Sequence, residues 1–351
     1  MTDPVSAVRT ALATVQDPDL HRDLVALGMI RNLTVVDELA SFDLVLTTGA
    51  CPVKQQLEDQ CVAAAKSVAG IQRVQVRVSA EVPQGKGASL PGVRNLIGIG
   101  SGKGGVGKST VTVNLACALA ASGARVGVLD ADIYGPSIPT MMGVRQQPEV
   151  VEKKLVPPVA HGVALMSMGF IIERDQAVVW RGPMVTGALR QFLNDVAWGE
   201  LDYLLVDLPP GTGDIPISLA QTAPLRGAVV VSTPQTVALD DARRAVAMFA
   251  KVNVPVLGIV ENMADFICPA CGHSEPIFGH GGAESEARRL GIPFLGRVPL
   301  EPGVRISGDD GVPVVVARPD SRSAAAFQRI AQAVAARISV EALSVPAEKT
   351  T

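Results

Sequence analysis

The chain has 351 residues, 48% of them hydrophobic and 19% charged, with a formal net charge of −3. That length can bury the core of one large domain and a smaller one, and the slightly acidic balance argues against a broad basic nucleic-acid footprint. Five cysteines in a long chain suit a reducing cytoplasm, with metal-binding or buried thiols rather than a disulfide framework.

The N-terminal MTDPVSAVRTALATV carries Asp3 and Arg9 and has no long apolar stretch, so it does not read as a secretory signal. Within it, Val5, Val8, Leu12 and Val15 share one helical face. MIRNLTVV and SFDLVLT read as strands, 53–68 as a helix, and the alternating IQRVQVRVS as a third strand. The order α-β-β-α-β over residues 1–80 predicts a small α+β domain. Residues 81–94, with EVPQGKGASLPG, read as a Gly/Pro-rich linker.

From residue 95 the pattern changes. Short apolar runs (LIGIG, ARVGVLD, YLLVDL, GAVVVST, VPVLGIV and FLGRVPL) alternate with helical segments. Such runs suit strands buried on both faces, so residues 95–343 predict an α/β domain: a mainly parallel sheet with helices on both faces. The most apolar window, 111–133, is interrupted by Asn114, Arg125 and Asp130, so no membrane span is expected. A helix from 321 to about 343 closes the domain, and 344–351 read as a disordered polar tail.

The segment GSGKGGVGKST follows the strand LIGIG and precedes a predicted helix, 110–121. Gly102, four residues, then Gly107, Lys108 and Ser109 match the phosphate-loop spacing in its strand–loop–helix setting. Glycines let backbone N–H groups turn toward phosphates, and the helix N-terminus adds positive potential. Gly102, Lys103, Gly104, Gly105, Val106, Gly107, Lys108, Ser109 and Thr110 are therefore the expected nucleotide cradle. Lys108 should reach the β- and γ-phosphates, and the Ser109 hydroxyl should ligate Mg²⁺. Two acidic strand ends accompany it, GVLDADIYGPS with Asp130 and Asp132, and YLLVDLPPGTGD with Asp207. Carboxylates there suit the water shell of Mg²⁺ or the water that attacks the γ-phosphate. We assign Asp132 to the attacking water, Asp207 to the Mg²⁺ shell and Gly211 to γ-phosphate sensing through its backbone. The roles of Asp130 and Asp132 are exchangeable at this stage. No [NT]-K-x-D guanine-reading motif occurs, which favours ATP.

A second lysine, Lys103, comes too early to be the ordinary phosphate lysine. K-G-G-x-G-K-[ST] resembles the deviant Walker A motif of the MinD/ParA/nitrogenase-iron-protein class. That resemblance implies an early lysine reaching the nucleotide of a partner subunit, and hence a homodimer. It also places an adenine-contacting residue at Asn262, just after the strand VPVLGIV.

Far downstream, ICPACGH offers Cys268 and Cys271, half of a four-ligand site. His273 and His280 could complete a zinc site, although C-x-x-C-x-H-x₆-H is not a common zinc spacing. Alternatively, two copies of the pair at a dimer axis supply the four thiolates of an iron–sulfur cluster. Cys117 and Cys61 read as core. GKGGVGKST, DADIYGPS, DLPPGTGD, VENM and CPACG, in this order over about 93–335, resemble the Mrp/ApbC family of iron–sulfur cluster carrier ATPases. The resemblance implies Mg²⁺-dependent ATP hydrolysis, expected to be slow because no obvious arginine finger is in view, and a labile [4Fe–4S] cluster shared between subunits. It also implies a donor scaffold and recipient apoproteins as partners, without nucleic acid or membrane. Residues DPDLHRDLVALGMIRNLTV…LTTGACPV resemble a SufT/PaaD-type domain, in which Cys51 is the matching cysteine. At the start of a helix its thiol pKa would be lowered and a cluster-handling role becomes plausible, against a packing role. The competing readings are a ParA/MinD-type positioning ATPase acting on DNA or membrane, and a zinc-stabilised nucleotide-switch scaffold.

Overall fold

The computed structural model describes residues 3–49, 51, 53–84, 90–170 and 182–343. Part of the expected linker (85–89) and the expected tail (344–351) lie outside the described residues. The chain divides into two units, Met1–Lys86 with Ala335–Thr351, and Gly87–Val334.

The first unit runs α1 (Pro4–Leu12), β1 (Ile30–Val36), β2 (Leu39–Leu46), α2 (Lys54–Lys66) and β3 (Arg73–Ala80). Asp3 caps α1 by accepting from the Val5 N–H at 3.3 Å, with Pro4 at the first helical position. Asp37 and Glu38, both with positive φ, make the tight turn from β1 to antiparallel β2. The period-2 pattern of β2 sends Ala40, Phe42, Leu44 and Leu46 inward, against Val8, Leu12, Leu57 and Cys61. Each large apolar side chain so buried contributes roughly 1.5–3 kcal/mol. The α2 crossover then sets β3 parallel to β2.

The second unit begins with β4 (Val93–Gly100), so the strand starts inside the expected linker: Val93 is buried and Arg94 pairs with Asp202. It continues with α3 (Lys108–Ala121), β5 (Val126–Asp130), α4 (Ile138–Met141), β6 (Val159–Ala160), β7 (Val163–Ser167), α5 (Gly182–Asp195) and β8 (Leu201–Asp207). Next come α6 (Asp214–Thr222), β9 (Gly227–Ser232), α7 (Thr236–Lys251) and β10 (Val256–Glu261). A hairpin of β11 (Phe266–Ile267) and β12 (Ser274–Glu275) precedes α8 (Gly282–Leu290), β13 (Phe294–Arg297), α9 (Pro302–Asp309), α10 (Val314–Ala317) and α11 (Arg322–Leu343), whose residues from Ala335 onward are counted with the first unit.

Eight strands form one sheet in the order β6-β7-β5-β8-β4-β9-β10-β13. All neighbours are parallel except the edge pair β6/β7. Every residue of β5, β8 and β9 is buried. Because successive side chains point to opposite faces, both faces of the sheet must be covered. The chain fills one side of β4 with β5, β7 and β8, then the other with β9, β10 and β13. A ligand crevice is expected outside the carboxyl ends at that switch point.

Candidate functional site

β4 ends at Gly100, and the next seven residues turn into α3. Gly107 has φ +82°, and a Cβ there would lie 2.1 Å from Nδ2 of Asn262, so only glycine fits both the backbone and the space. A pocket of about 190 Å³ opens over this turn, lined in part by Lys103, Gly104, Lys108, Ser109, Thr110 and Asp132.

β5 and β8 deliver the acids side by side, with Asp130 and Asp207 in register on adjacent strands. Asp207 is fully buried. Its Oδ2 lies 2.6 Å from Lys108 Nζ and accepts the Ser109 hydroxyl at 2.6 Å. Oδ1 of Asp207 accepts the Thr112 hydroxyl, also at 2.6 Å. Lys108 Nζ stands 3.7 Å from Asp132 Oδ2. The other oxygen of Asp132, Oδ1, is buried and has no hydrogen-bond partner among the described residues, so the pocket wall holds a spare acceptor.

The structure separates the two acids after β5. Asp130 accepts from the Ser167 hydroxyl at 2.9 Å and from the backbone N–H groups of Asp132 and Ile138 at 3.2 and 3.3 Å. It is fully buried, and burial together with the adjacent Asp207 pushes its carboxyl up to about 8. Asp130 therefore shapes its own loop, while Asp132 lines the pocket. Burial raises Asp132 as well, against the pull of Lys108.

Two expected nucleotide contacts are occupied within the protein in ways the sequence did not signal. The Asn262 side chain donates to the Val106 carbonyl at 2.9 Å, so its amide group braces the phosphate loop from behind. The Gly211 N–H donates to Ser101 O at 2.9 Å, which departs from a phosphate-facing amide. Ser101 is further engaged with the Lys103 carbonyl, to which its hydroxyl donates at 3.0 Å. Lys103 itself, half-buried at the pocket rim, makes no ion pair among the described residues. Thr112 and Ser167, which position the two buried acids, were missed: single hydroxyls inside apolar runs leave no periodic trace.

Cys268 and Cys271 lie in the hairpin between β11 and β12. The turn closes through Cys268 N–H to His273 O at 2.9 Å and Gly272 N–H to Cys268 O at 2.8 Å. Cys268 is half-buried and Cys271 exposed. The N–H groups of Cys271 and Ala270 point at the Cys268 sulfur and hold its thiol below the ordinary value. The histidines face elsewhere: His273 Nε2 meets Glu275 Oε2 at 3.1 Å, and His280 Nδ1 meets Asp265 Oδ1 at 3.3 Å. Among the described residues no group of three or more His, Cys, Asp or Glu is placed to hold a metal ion. Among its described residues, a single chain thus offers two thiols without a third ligand.

The other cysteines divide as their surroundings dictate. Burial pushes Cys61 up to about 11 and Cys117 up to about 12, as for packed thiols. For Cys51 the expectation of a lowered thiol is corrected. Burial raises it, outweighing the Val53 N–H, and the Asp17 and Asp19 carboxylates add to the rise. No helix among the described residues is long and apolar enough to cross a membrane.

Residues 92–335 match the family described as NUBPL iron-transfer P-loop NTPase, and residues 6–78 match the iron–sulfur cluster assembly protein family. An iron–sulfur cluster carrier protein of Synechocystis is 52% identical over 349 residues, covering 96% of this chain and 98% of that one. Its namesake from Escherichia coli K12 is 44% identical, with 97% and 94% covered. Among solved structures, a nucleotide-binding protein from Archaeoglobus fulgidus in complex with ADP is 43% identical. It aligns with a TM-score of 0.57 over 63% of this chain and 88% of its own. The cell-division ATPase MinD of Pyrococcus furiosus, 23% identical with a TM-score of 0.52 over 68% and 98%, shares the fold.

Proposed function

This chain belongs to the NUBPL iron-transfer P-loop NTPase family, and we propose on that footing that it is an ATP-hydrolysing carrier of iron–sulfur clusters. In this reading the cargo is a labile [4Fe–4S] cluster held between two copies of the chain, received from a donor scaffold and passed to apoproteins in a reducing cytoplasm. The observation that carries it is the Cys268/Cys271 hairpin, which presents two thiols at the surface of a chain that provides no third ligand among its described residues. Two such hairpins at a two-fold axis make the Cys₄ set a cluster requires.

The pocket residues suit ATP hydrolysis. Lys108 lies at the start of α3, where its ammonium and the helix N-terminus favour phosphate oxygens. The Ser109 hydroxyl and the Asp207 carboxylate are hard oxygen donors 2.6 Å apart and fit a Mg²⁺ ion with its water shell. That ion would neutralise charge on the phosphates. The unpartnered Oδ1 of Asp132 is the acceptor best suited to orient an attacking water. Lys103, without an ion pair among the described residues, is suited to reach the nucleotide of the second copy.

Anaerobic reconstitution with iron and sulfide tests the reading. The wild-type protein is expected to gain a visible chromophore at four iron and four sulfide per dimer, and the Cys268→Ser/Cys271→Ser variant to gain none. A colourless wild type, or an unchanged chromophore in the double variant, would sink it.

A further inference from the structure

The cysteine hairpin lies between β10 and α8. It leaves the sheet after Glu261 at the end of β10 and returns at Gly281 and Gly282, where α8 starts. Its two legs meet at their base, His280 Nδ1 to Asp265 Oδ1 at 3.3 Å. Glu261, which the site described above does not use, has a fully buried carboxylate at this root. Oε2 of Glu261 accepts the Ala283 N–H at 2.7 Å, gripping the first turn of α8. Oε1 accepts from Arg297 Nε at 3.2 Å, and Arg297 also pairs with Glu284 of α8. A Cβ on Gly282 would come within 2.6 Å of Pro234 O, so the returning leg is packed without slack.

The next residue faces the nucleotide side. Asn262 donates its side-chain N–H to Val106 O in the phosphate loop at 2.9 Å, and its backbone N–H to Ser232 O at 2.8 Å. Met263 then adopts a left-handed backbone with φ +56°, uncommon for a long side chain. Adjacent residues on one strand end therefore hold the phosphate loop and the helix that closes the cysteine hairpin.

We propose that Glu261 is a positioning residue that couples the phosphate loop to the cysteine hairpin, so that nucleotide at Lys108 changes how tightly Cys268 and Cys271 keep their cargo. The inference rests on the carrier reading and adds its transmission element. When the loop amides turn to phosphate, the Val106 carbonyl moves with them, and Asn262 follows. Glu261, one residue back, has both carboxylate oxygens committed to α8 and Arg297, and it carries that movement to the returning leg.

The test loads the full chain with iron and sulfide and measures cluster loss to the chelator 2,2′-bipyridyl, with MgATP and without nucleotide. In the wild type the two rates are expected to differ about fivefold or more. In Glu261→Gln and Arg297→Met the ratio is expected to fall to one, with loaded absorbance and the KM for ATP within about twofold of wild type. Arg297→Lys, which returns a cation to Glu261, is expected to recover part of the ratio. A wild-type ratio in Glu261→Gln overturns the proposal, as does joint loss of loading and ATP binding, which would make Glu261 a fold residue only. Wild-type loading with no nucleotide effect overturns this proposal and spares the carrier reading. A wild type that takes up no cluster removes both, and shows itself before any variant is made.

Discussion

The phosphate pocket and the cysteine hairpin differ in how much one chain supplies. In the pocket, Lys108, Ser109 and Thr112 all converge on Asp207, which is fully buried. Backbone and side chains fix one another there, and the geometry is over-determined. The hairpin has two-residue strands, a Cys268 thiol that meets backbone N–H groups and the Cys271 side chain, and histidines occupied by carboxylates. One feature of the pocket shares the hairpin's character: Lys103 has no internal ion pair among the described residues. The parts the single chain leaves open are the parts the proposed dimer would complete.

The largest effect that would sharpen this contrast is at Lys108. Replacing it with Met removes the cation that faces Asp207 and that is proposed to reach the γ-phosphate, and ATP turnover is expected to fall about 10²–10³-fold. Iron and sulfide uptake by that variant is expected to match wild type, because the polar partners of the Lys108 ammonium among the described residues are Ser109, Asp132 and Asp207, none of them in the hairpin. A steady-state assay beside an iron determination reads both, and loss of cluster uptake would show that the two regions are not separable. Gly107→Ala comes next. It forces a left-handed backbone on alanine and drives a Cβ into Asn262, so a loss of about 1–3 kcal/mol is expected in denaturant unfolding, together with weaker ATP binding.

How far the two regions could be read from sequence follows the same division. The phosphate loop was legible because its backbone demands appear as glycines at fixed spacing, and the acids because they end buried strands. Their partners were not legible. Thr112 lies 95 residues from Asp207 and Asn262 lies 156 from Val106, and neither pairing has a local signature. Cys51 was misread for a related reason. Its helix position argued for a lowered thiol, but burial dominates, with Asp17 and Asp19, more than thirty residues earlier, adding to it. In the hairpin the thiols were plain, while the orientation of His273 and His280 depended on acids that the C-x-x-C spacing does not include.

A smaller effect is expected behind the hairpin, where Arg243 of α7 and Arg289 grip Glu286 of α8 at 2.8 and 2.6 Å. The Arg243 guanidinium, then Arg289, hold the Glu286 carboxyl down to about 2, from an ordinary 4.5. Because the folded-state value is depressed, the charged pair stabilises the fold above about pH 4.5, and that contribution fades as pH falls toward 2. Glu286→Gln is expected to cost about 1–2 kcal/mol at pH 7, and its difference from wild type to shrink on acidification. Urea unfolding at pH 7 and pH 3 checks the sign. A difference that grows toward acid would contradict it.

The smallest effect separates the two metal readings of the hairpin. His273 and His280 are exposed and bond to Glu275 and Asp265 rather than lying beside the thiols. Exposed ion pairs of this kind contribute about 0–1 kcal/mol, so the His273→Ala/His280→Ala variant should unfold close to wild type. If the cargo sits on Cys268 and Cys271 of two copies, this variant loads the same iron and sulfide per dimer and shows the same absorption. If the histidines complete a mononuclear site in each chain, metal content falls while the chain stays folded. The exposure that makes these residues unimportant to the fold makes the comparison clean, since any change in metal content then reports ligation and not packing.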